Sequence, residues 1–127
     1  MAERESIQTS AAPSALGPYS QAIKTGELIF LSGQIPLDPE TMELVDGGIE
    51  TQAQQVFRNL TAIANAAGTT LQQAVKLTIY LTDLNDFARV NAIMAEHFDE
   101  PYPARATIQV GALPKHSMVE IDAILAV

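Results

Sequence analysis

The sequence predicts an α+β domain in which a mixed β-sheet carries two helices on one face. Three observations predict it. Two stretches place apolar residues at helical period, after Ile49 and after Asp83. Five short stretches alternate apolar with polar residues, or run apolar for only four residues between glycines, as strands do. Their order, ββ-α-β-α-ββ, supplies two helices, which is enough to cover one face of a sheet but not both. At 127 residues the chain fits a single domain spanning 1–127. That length buries a core without disulfides or a structural metal.

The elements follow in order. Residues 1–15 read as an N-terminal arm, loose or docked. Gly17-Pro18 is turn-like, Tyr19 to Lys24 reads as a strand, and Thr25-Gly26 as a hairpin turn. Leu28 to Leu31 is a short apolar run suited to a buried strand, which Ser32-Gly33-Gln34 ends. Pro36, Asp38, Pro39 and Asp46-Gly47-Gly48 mark a long loop. The clearest helix carries a stripe of Ile49, Ala53, Val56, Phe57, Leu60, Ile63, Ala64 and Ala67. Gly68 follows as its C-cap. From Val75 to Leu81 alternate residues share a face, so Val75, Leu77, Ile79 and Leu81 are expected to point together. The second helix is expected to start near Asp83 or Asn85, both good caps. Its stripe is Phe87, Val90, Asn91, Met94 and Phe98, closed off by Pro101 and Pro103. Arg105 to Val110 reads as a strand with Ala106, Ile108 and Val110 on one face and Arg105, Thr107 and Gln109 on the other. Gly111 to Ser117 is a loop. Met118 to Val127 is a strand whose face of Val119, Ile121, Ala123, Leu125 and Val127 is wholly apolar. Its other face holds Ile124 and Ala126, and the first apolar run leaves no polar side either. With no third helix to cover that second face, self-association is the economical expectation.

Composition excludes several classes. The net charge is −8, from fifteen acidic and seven basic residues. The basic residues, Arg4, Lys24, Arg58, Lys76, Arg89, Arg105 and Lys115, form no cluster. Nucleic-acid affinity rests on several cations neutralising phosphates together, so nucleic acid is a poor first reading. The absence of cysteine rules out disulfides, thiolate catalysis and cysteine-based metal ligation. No apolar run approaches the ~20 residues that span a bilayer, so no membrane partner is expected. The first residues resemble neither a secretory signal nor a transit peptide, which leaves the cytoplasm as the default.

The candidate chemistry centres on Arg105. If the last two strands form an antiparallel hairpin with their apolar faces together, the opposite face collects Arg105, Thr107, Glu120 and Asp122. That grouping has two readings. One is a cross-strand salt bridge on a solvated face. The other is a site for a small carboxylate, with the planar guanidinium gripping it and Glu120 handling protons or positioning water. Asn91 lies on the buried stripe of its helix, either as a hydrogen-bonded core amide or as an amide reaching a pocket. Gly33 lets a ligand approach the backbone; Ser32-Gly33 is equally simple punctuation at a strand end. Tyr19 either packs or points its hydroxyl into a cleft. His97 and His116 lack partners at metal-ligand spacing, and no metal site is expected. No phosphate loop, dinucleotide fingerprint or nucleophile elbow is present.

Five runs resemble the RidA family, also called the YjgF family, of reactive-imine deaminases. They are Gly17-Pro18-Tyr19-Ser20-Gln21, Ser32-Gly33-Gln34-Ile35-Pro36, Asp83-Leu84-Asn85-Asp86-Phe87 with Val90-Asn91, Pro103-Ala104-Arg105-Ala106-Thr107, and Leu113-Pro114-Lys115 with Val119-Glu120-Ile121. They keep the family's order and spacing over almost the whole chain. The resemblance implies a chorismate-mutase-like α+β fold and a homotrimer around a central barrel, with active sites in the clefts between subunits. It implies hydrolysis of 2-imino acids such as 2-iminopropanoate and 2-iminobutanoate, derived from 2-aminoacrylate-type enamines, to 2-oxo acids and ammonia. It implies no metal or organic cofactor. Carried over by position, Arg105 grips the substrate carboxylate, Ser32 and Gly33 help to hold it, and Tyr19 and Asn91 line the cleft. Glu120 positions or activates water, and its nearness to Arg105 is expected to favour its charged form. Thr107 stands where many members carry Cys, which removes any sulfur nucleophile. The resemblance also covers proteins described as ribonucleases or translation inhibitors, and a holdase-like or regulatory binder of 2-oxo acids is a third reading.

Overall fold

The structure, a computed structural model, describes residues 3–127. Strands β1 (Glu5–Ile7), β2 (Ala22–Thr25) and β3 (Leu28–Gln34) precede helix α1 (Ile49–Ala66). Strand β4 (Ala74–Leu81), helix α2 (Phe87–His97), β5 (Ala104–Gln109) and β6 (Val119–Ala126) complete the chain. The six strands form one sheet in the order β1-β2-β3-β6-β4-β5. The α+β class and the two-helix layer are as the periodicity predicts.

The arm is docked rather than loose, and part of it is a sixth strand. β1 pairs with β2, and the buried Gln21 amide ties down the residues that follow. It accepts from the Thr9 amide at 2.7 Å and donates to the Pro13 carbonyl at 2.8 Å. The segment before β2 is therefore not strand at Tyr19 but a tethered turn. β2 and β3 form the expected hairpin, with Gly26 at φ +58° in its two-residue turn. β3 runs on through Ser32 and Gly33, which sit in an irregularity of its pairing with β6.

α1 lays its apolar stripe on the sheet. Val56, Phe57, Leu60 and Ile63 are fully buried against it. Gly68 adopts φ +83° just beyond its end, the left-handed geometry that glycine allows without cost. Asp83 caps as expected, accepting from the Asn85 amide at 2.9 Å, although a single 3₁₀ turn separates it from α2. On α2 the buried residues are Val90, Ile93 and Met94; Asn91 is exposed, one step around from the predicted stripe.

The last two strands do not form a hairpin. β5 pairs parallel with β4, joined to it through α2, and β6 inserts antiparallel between β3 and β4. The physical reason lies in the side chains. β6 is apolar on one face and half apolar on the other, so it loses least by taking the sheet centre. β5 is short and mostly exposed, and stays at the edge. A helix-length connection from β4 to β5 also returns the chain to the same end, which makes the pair parallel.

The register reverses the expected faces. Leu77 pairs with Arg105 and Ala123, and Ile79 with Thr107 and Ile121. Arg105, Thr107 and Gln109 therefore share the helix-covered side. Glu120 and Asp122 share the opposite side with Ala106 and Ile108. Val75 falls in a bulge between Ala74 and Lys76 and is exposed, so Ala74 takes its expected place in the core. The uncovered side carries Leu28, Phe30 and Ile108, each exposed, beside half-buried Ile124 and Ala126. Among the described residues no helix is long and apolar enough to cross a membrane.

Candidate active site

Two groups of the predicted residues form, and they lie on opposite sides of the sheet. The first is built between α2 and β5. Parallel pairing sets Arg105 on the edge strand, facing the helix side, and α2 supplies three partners. Arg105 Nη1 makes a short hydrogen bond to Asn91 Oδ1 and lies 3.7 Å from Met94 Sδ. The guanidinium carbon sits 5.0 Å from the Phe87 ring centroid, within cation–π range. Phe87, Asn91 and Met94 stand at steps of four and three along α2, so one helix face orients the arginine. Asn91 serves here as an exposed amide beside a cation, not as a core amide. With Ala95, Tyr102 and Pro103 these residues, Phe87 excepted, line a cavity of about 250 Å³. Among the described residues Arg105 has no carboxylate partner; the ion pairs found are those of Arg89 with Glu50 and Asp86, each at 3.9 Å. Beyond Nη1, its planar fork makes no hydrogen bond among the described residues and is open to an incoming carboxylate.

Thr107 lies two residues further along β5 on the same side. Its hydroxyl oxygen is buried and among the described residues has no hydrogen-bond partner. Such a group costs free energy until something pairs with it.

The second group lies around β3 and β6. Tyr19, Gly33 and Glu120 line a cavity of about 230 Å³ with Leu16, Met42 and Lys115. A Cβ added at Gly33 would fall 2.3 Å from Glu120 Oε2, so Gly33 is required for the carboxylate to rest where it does. Burial pushes the half-buried Glu120 carboxyl above the usual carboxylate range, and the negative Asp122 adds to that. The expectation that Arg105 holds Glu120 in its charged form thus fails within one chain: the guanidinium is on the other side of the sheet. Ser32 does not line either cavity. Its hydroxyl donates to the Ser20 carbonyl at 2.5 Å, and its amide to the Gln21 carbonyl at 2.9 Å. Those bonds fix the segment that carries the exposed Tyr19.

The remaining candidates stay outside both groups. His97 stacks on Phe57 at 4.7 Å and hydrogen-bonds Gln54 at 3.1 Å. Among the described residues no cluster of three or more His, Asp or Glu suits a metal ion. A groove of about 620 Å³ between α1 and α2 is lined by Arg58, Arg89, Glu50 and Glu96 and holds none of the predicted site residues. Sequence reasoning read Phe87 and Met94 only as packing residues. Their helical spacing to Asn91 was the available signal, but their partner on β5 depended on the parallel pairing.

The chain matches known proteins closely in sequence and fold. Residues 9–127 fit the model of a family described as endoribonuclease L-PSP. A RutC family protein of Pyrococcus horikoshii is 50% identical over 121 residues, covering 95% of this chain and 96% of the relative. The mouse protein named 2-iminobutanoate/2-iminopropanoate deaminase is 48% identical, with 95% and 90% covered. The crystal structure of RidA from an Antarctic Psychrobacter superimposes with a TM-score of 0.93 at 52% identity, over 97% of this chain and 99% of that one. The chain belongs to the RidA/YjgF family, described as endoribonuclease L-PSP.

Proposed function

We propose that the protein is an imine deaminase, hydrolysing 2-iminopropanoate and 2-iminobutanoate to 2-oxo acids and ammonia. The observation that carries the reading is Arg105, which has no carboxylate partner among the described residues and which Asn91 and Phe87 orient in the wall of a small cavity. A guanidinium so held suits a substrate carboxylate, binding it bidentately. The mouse relative, named as a deaminase of these two imines, supports the substrate class.

In this reading water adds to the iminium carbon while Glu120 accepts its proton. The carbinolamine then forms its C=O bond as the C–N bond breaks, and the proton leaves with ammonia. A carboxyl with raised proton affinity is the better base near neutrality. Arg105 and Glu120 must meet for this, and within one chain they face opposite ways. We therefore place the complete site between copies, with Arg105 from the edge strand of one and Tyr19, Gly33 and Glu120 from the next, in a homotrimer whose uncovered sheet faces form a central barrel. Thr107, in place of a thiol, brings to the Arg105 side of the sheet a hydroxyl that has no partner among the described residues. No cofactor enters the scheme. The family description names an endoribonuclease, but seven scattered cations against fifteen acidic residues do not favour RNA as ligand.

Generating 2-iminobutanoate in situ and following its decay tests the proposal. Native protein accelerates hydrolysis, and Arg105→Ala brings decay to near background. Glu120→Gln lowers kcat by on the order of a hundredfold or more while 2-oxobutanoate still binds. Equal decay with native and Arg105→Ala protein defeats the carboxylate anchor.

A further inference from the structure

Two carboxylates stand on the uncovered side of β6. Glu120 and Asp122 are two residues apart on one strand and so point the same way. They are not equivalent. Tyr80 lies opposite Glu120 in the β4–β6 register, yet its hydroxyl donates diagonally to Asp122 Oδ2 at 3.1 Å. An ionised carboxylate only accepts, so the bond suits a charged Asp122. Burial, then the negative charge of Asp122 and its hydrogen bond, push the Tyr80 phenol up, with Glu120 adding to the effect. Tyr80 is therefore a fixed donor across the neutral range. Glu120 receives no such donor among the described residues.

We propose that Asp122, held by Tyr80, is a positioning residue: its fixed negative charge makes Glu120 the carboxylate of the pair that takes up the proton of the attacking water. The role in turnover rests on the deaminase reading; the charge arrangement does not.

The groups facing Glu120 fit this division. Asp122 stands on its own strand and Tyr80 on β4. Gly33 of β3 brings backbone only. Tyr19 and Lys115 line the same cavity, and the Lys115 ammonium donates to the Met42 carbonyl at 3.3 Å. Arg105 from a neighbouring copy acts on native and Asp122-substituted proteins alike, so a comparison between them isolates Asp122.

Turnover that needs ionised Glu120 is lost as pH falls through its raised pKa. Removing the Asp122 charge lowers that pKa and carries the acid limb downward. The shift is partial, because burial is the larger cause.

The test uses the intact chain and two readouts: the pH profile of kcat/KM with 2-iminobutanoate, and a carbon-13 NMR titration of the Glu120 carboxyl. With Asp122→Asn both move down by on the order of half to one pH unit. Asp122→Glu, which keeps the charge, restores the native position, and Tyr80→Phe, which keeps the charge but frees it, falls between. Asp122→Ser serves as a second neutral variant should the amide disturb folding. An unmoved Glu120 titration in the neutral variants overturns the proposal. A native-like result with Tyr80→Phe removes Tyr80 from it. If native protein hydrolyses no imine but the titration moves, the deaminase reading fails and the hold of Asp122 on Glu120 stands.

Discussion

Gly33 carries a requirement that no motif states. Its backbone lies outside the left-handed region, so the demand is for space alone. The Glu120 carboxylate occupies the volume that any side chain at 33 would fill. Gly33→Ala must displace Glu120, and displacement of a reacting group by about 1 Å costs on the order of a hundredfold in rate. We expect kcat for imine hydrolysis to fall by about that factor while the melting temperature changes by only a few degrees, because Gly33 is exposed and Glu120 can swing outward. A variant with native kcat would mean that Glu120 need not sit against the backbone. Arg105 shows the converse dependence. Its contacts come from Asn91, Met94 and Phe87, so its proposed role as an anchor depends on a helix whose contacting residues lie eleven to eighteen positions away in sequence.

At the level of elements, local pattern was legible and pairing was not. The helical stripe of α1 and the Gly68 stop were readable because periodicity and left-handed backbone are local properties. So were Asp83 as a cap and Gly26 in the β2–β3 turn. Alternation along Arg105–Gln109 and Val119–Ala126 also gave the correct two sets of side chains within each strand. It could not say which set faced which, because that depends on the neighbouring strand. Treating β5 and β6 as a hairpin joined the wrong sets and put Arg105 beside Glu120. The connection through α2 argued for parallel pairing of β4 with β5, and the residual apolar character of both β6 faces argued for the sheet centre. Asn91 was misplaced for a smaller reason: one step around a helix separates a core position from its rim. The buried polar residues Gln21, Gln52 and Asn59 were invisible because they serve loop backbone rather than any periodic pattern. Gln52 accepts from the Met118 amide at 2.8 Å, and Asn59 donates to the Leu37 carbonyl at 3.0 Å. For the candidate site, Arg105, Asn91, Tyr19, Gly33 and Glu120 each line or flank a cavity, while Ser32 braces one from behind.

At the scale of the whole molecule, the uncovered sheet face is the unfinished part of the fold. Leu28, Phe30 and Ile108 are about two-fifths to one-half exposed there, beside Ile124 and Ala126. An apolar face of this kind calls for a partner surface, and a closed ring of copies meets the need with one chain. Sedimentation equilibrium is expected to give three times the chain mass for native protein. Phe30→Asp, placing a charge where an apolar contact is proposed, is expected to shift the mass toward the monomer and remove imine hydrolysis with it. A native protein that stays monomeric at all concentrations would defeat the shared site.

The separation of Arg105 and Glu120 onto opposite sides of the sheet has a genetic consequence. Arg105→Ala protein retains a sound Glu120 side, and Glu120→Gln protein retains a sound Arg105 side. Each is expected to be inactive alone. Unfolded together and refolded as a mixture, they would exchange partners, and about a quarter of the boundaries would join two intact halves. Two defective alleles of this protein in one cell would then complement each other, as no pair of lesions could if every site lay within a single chain.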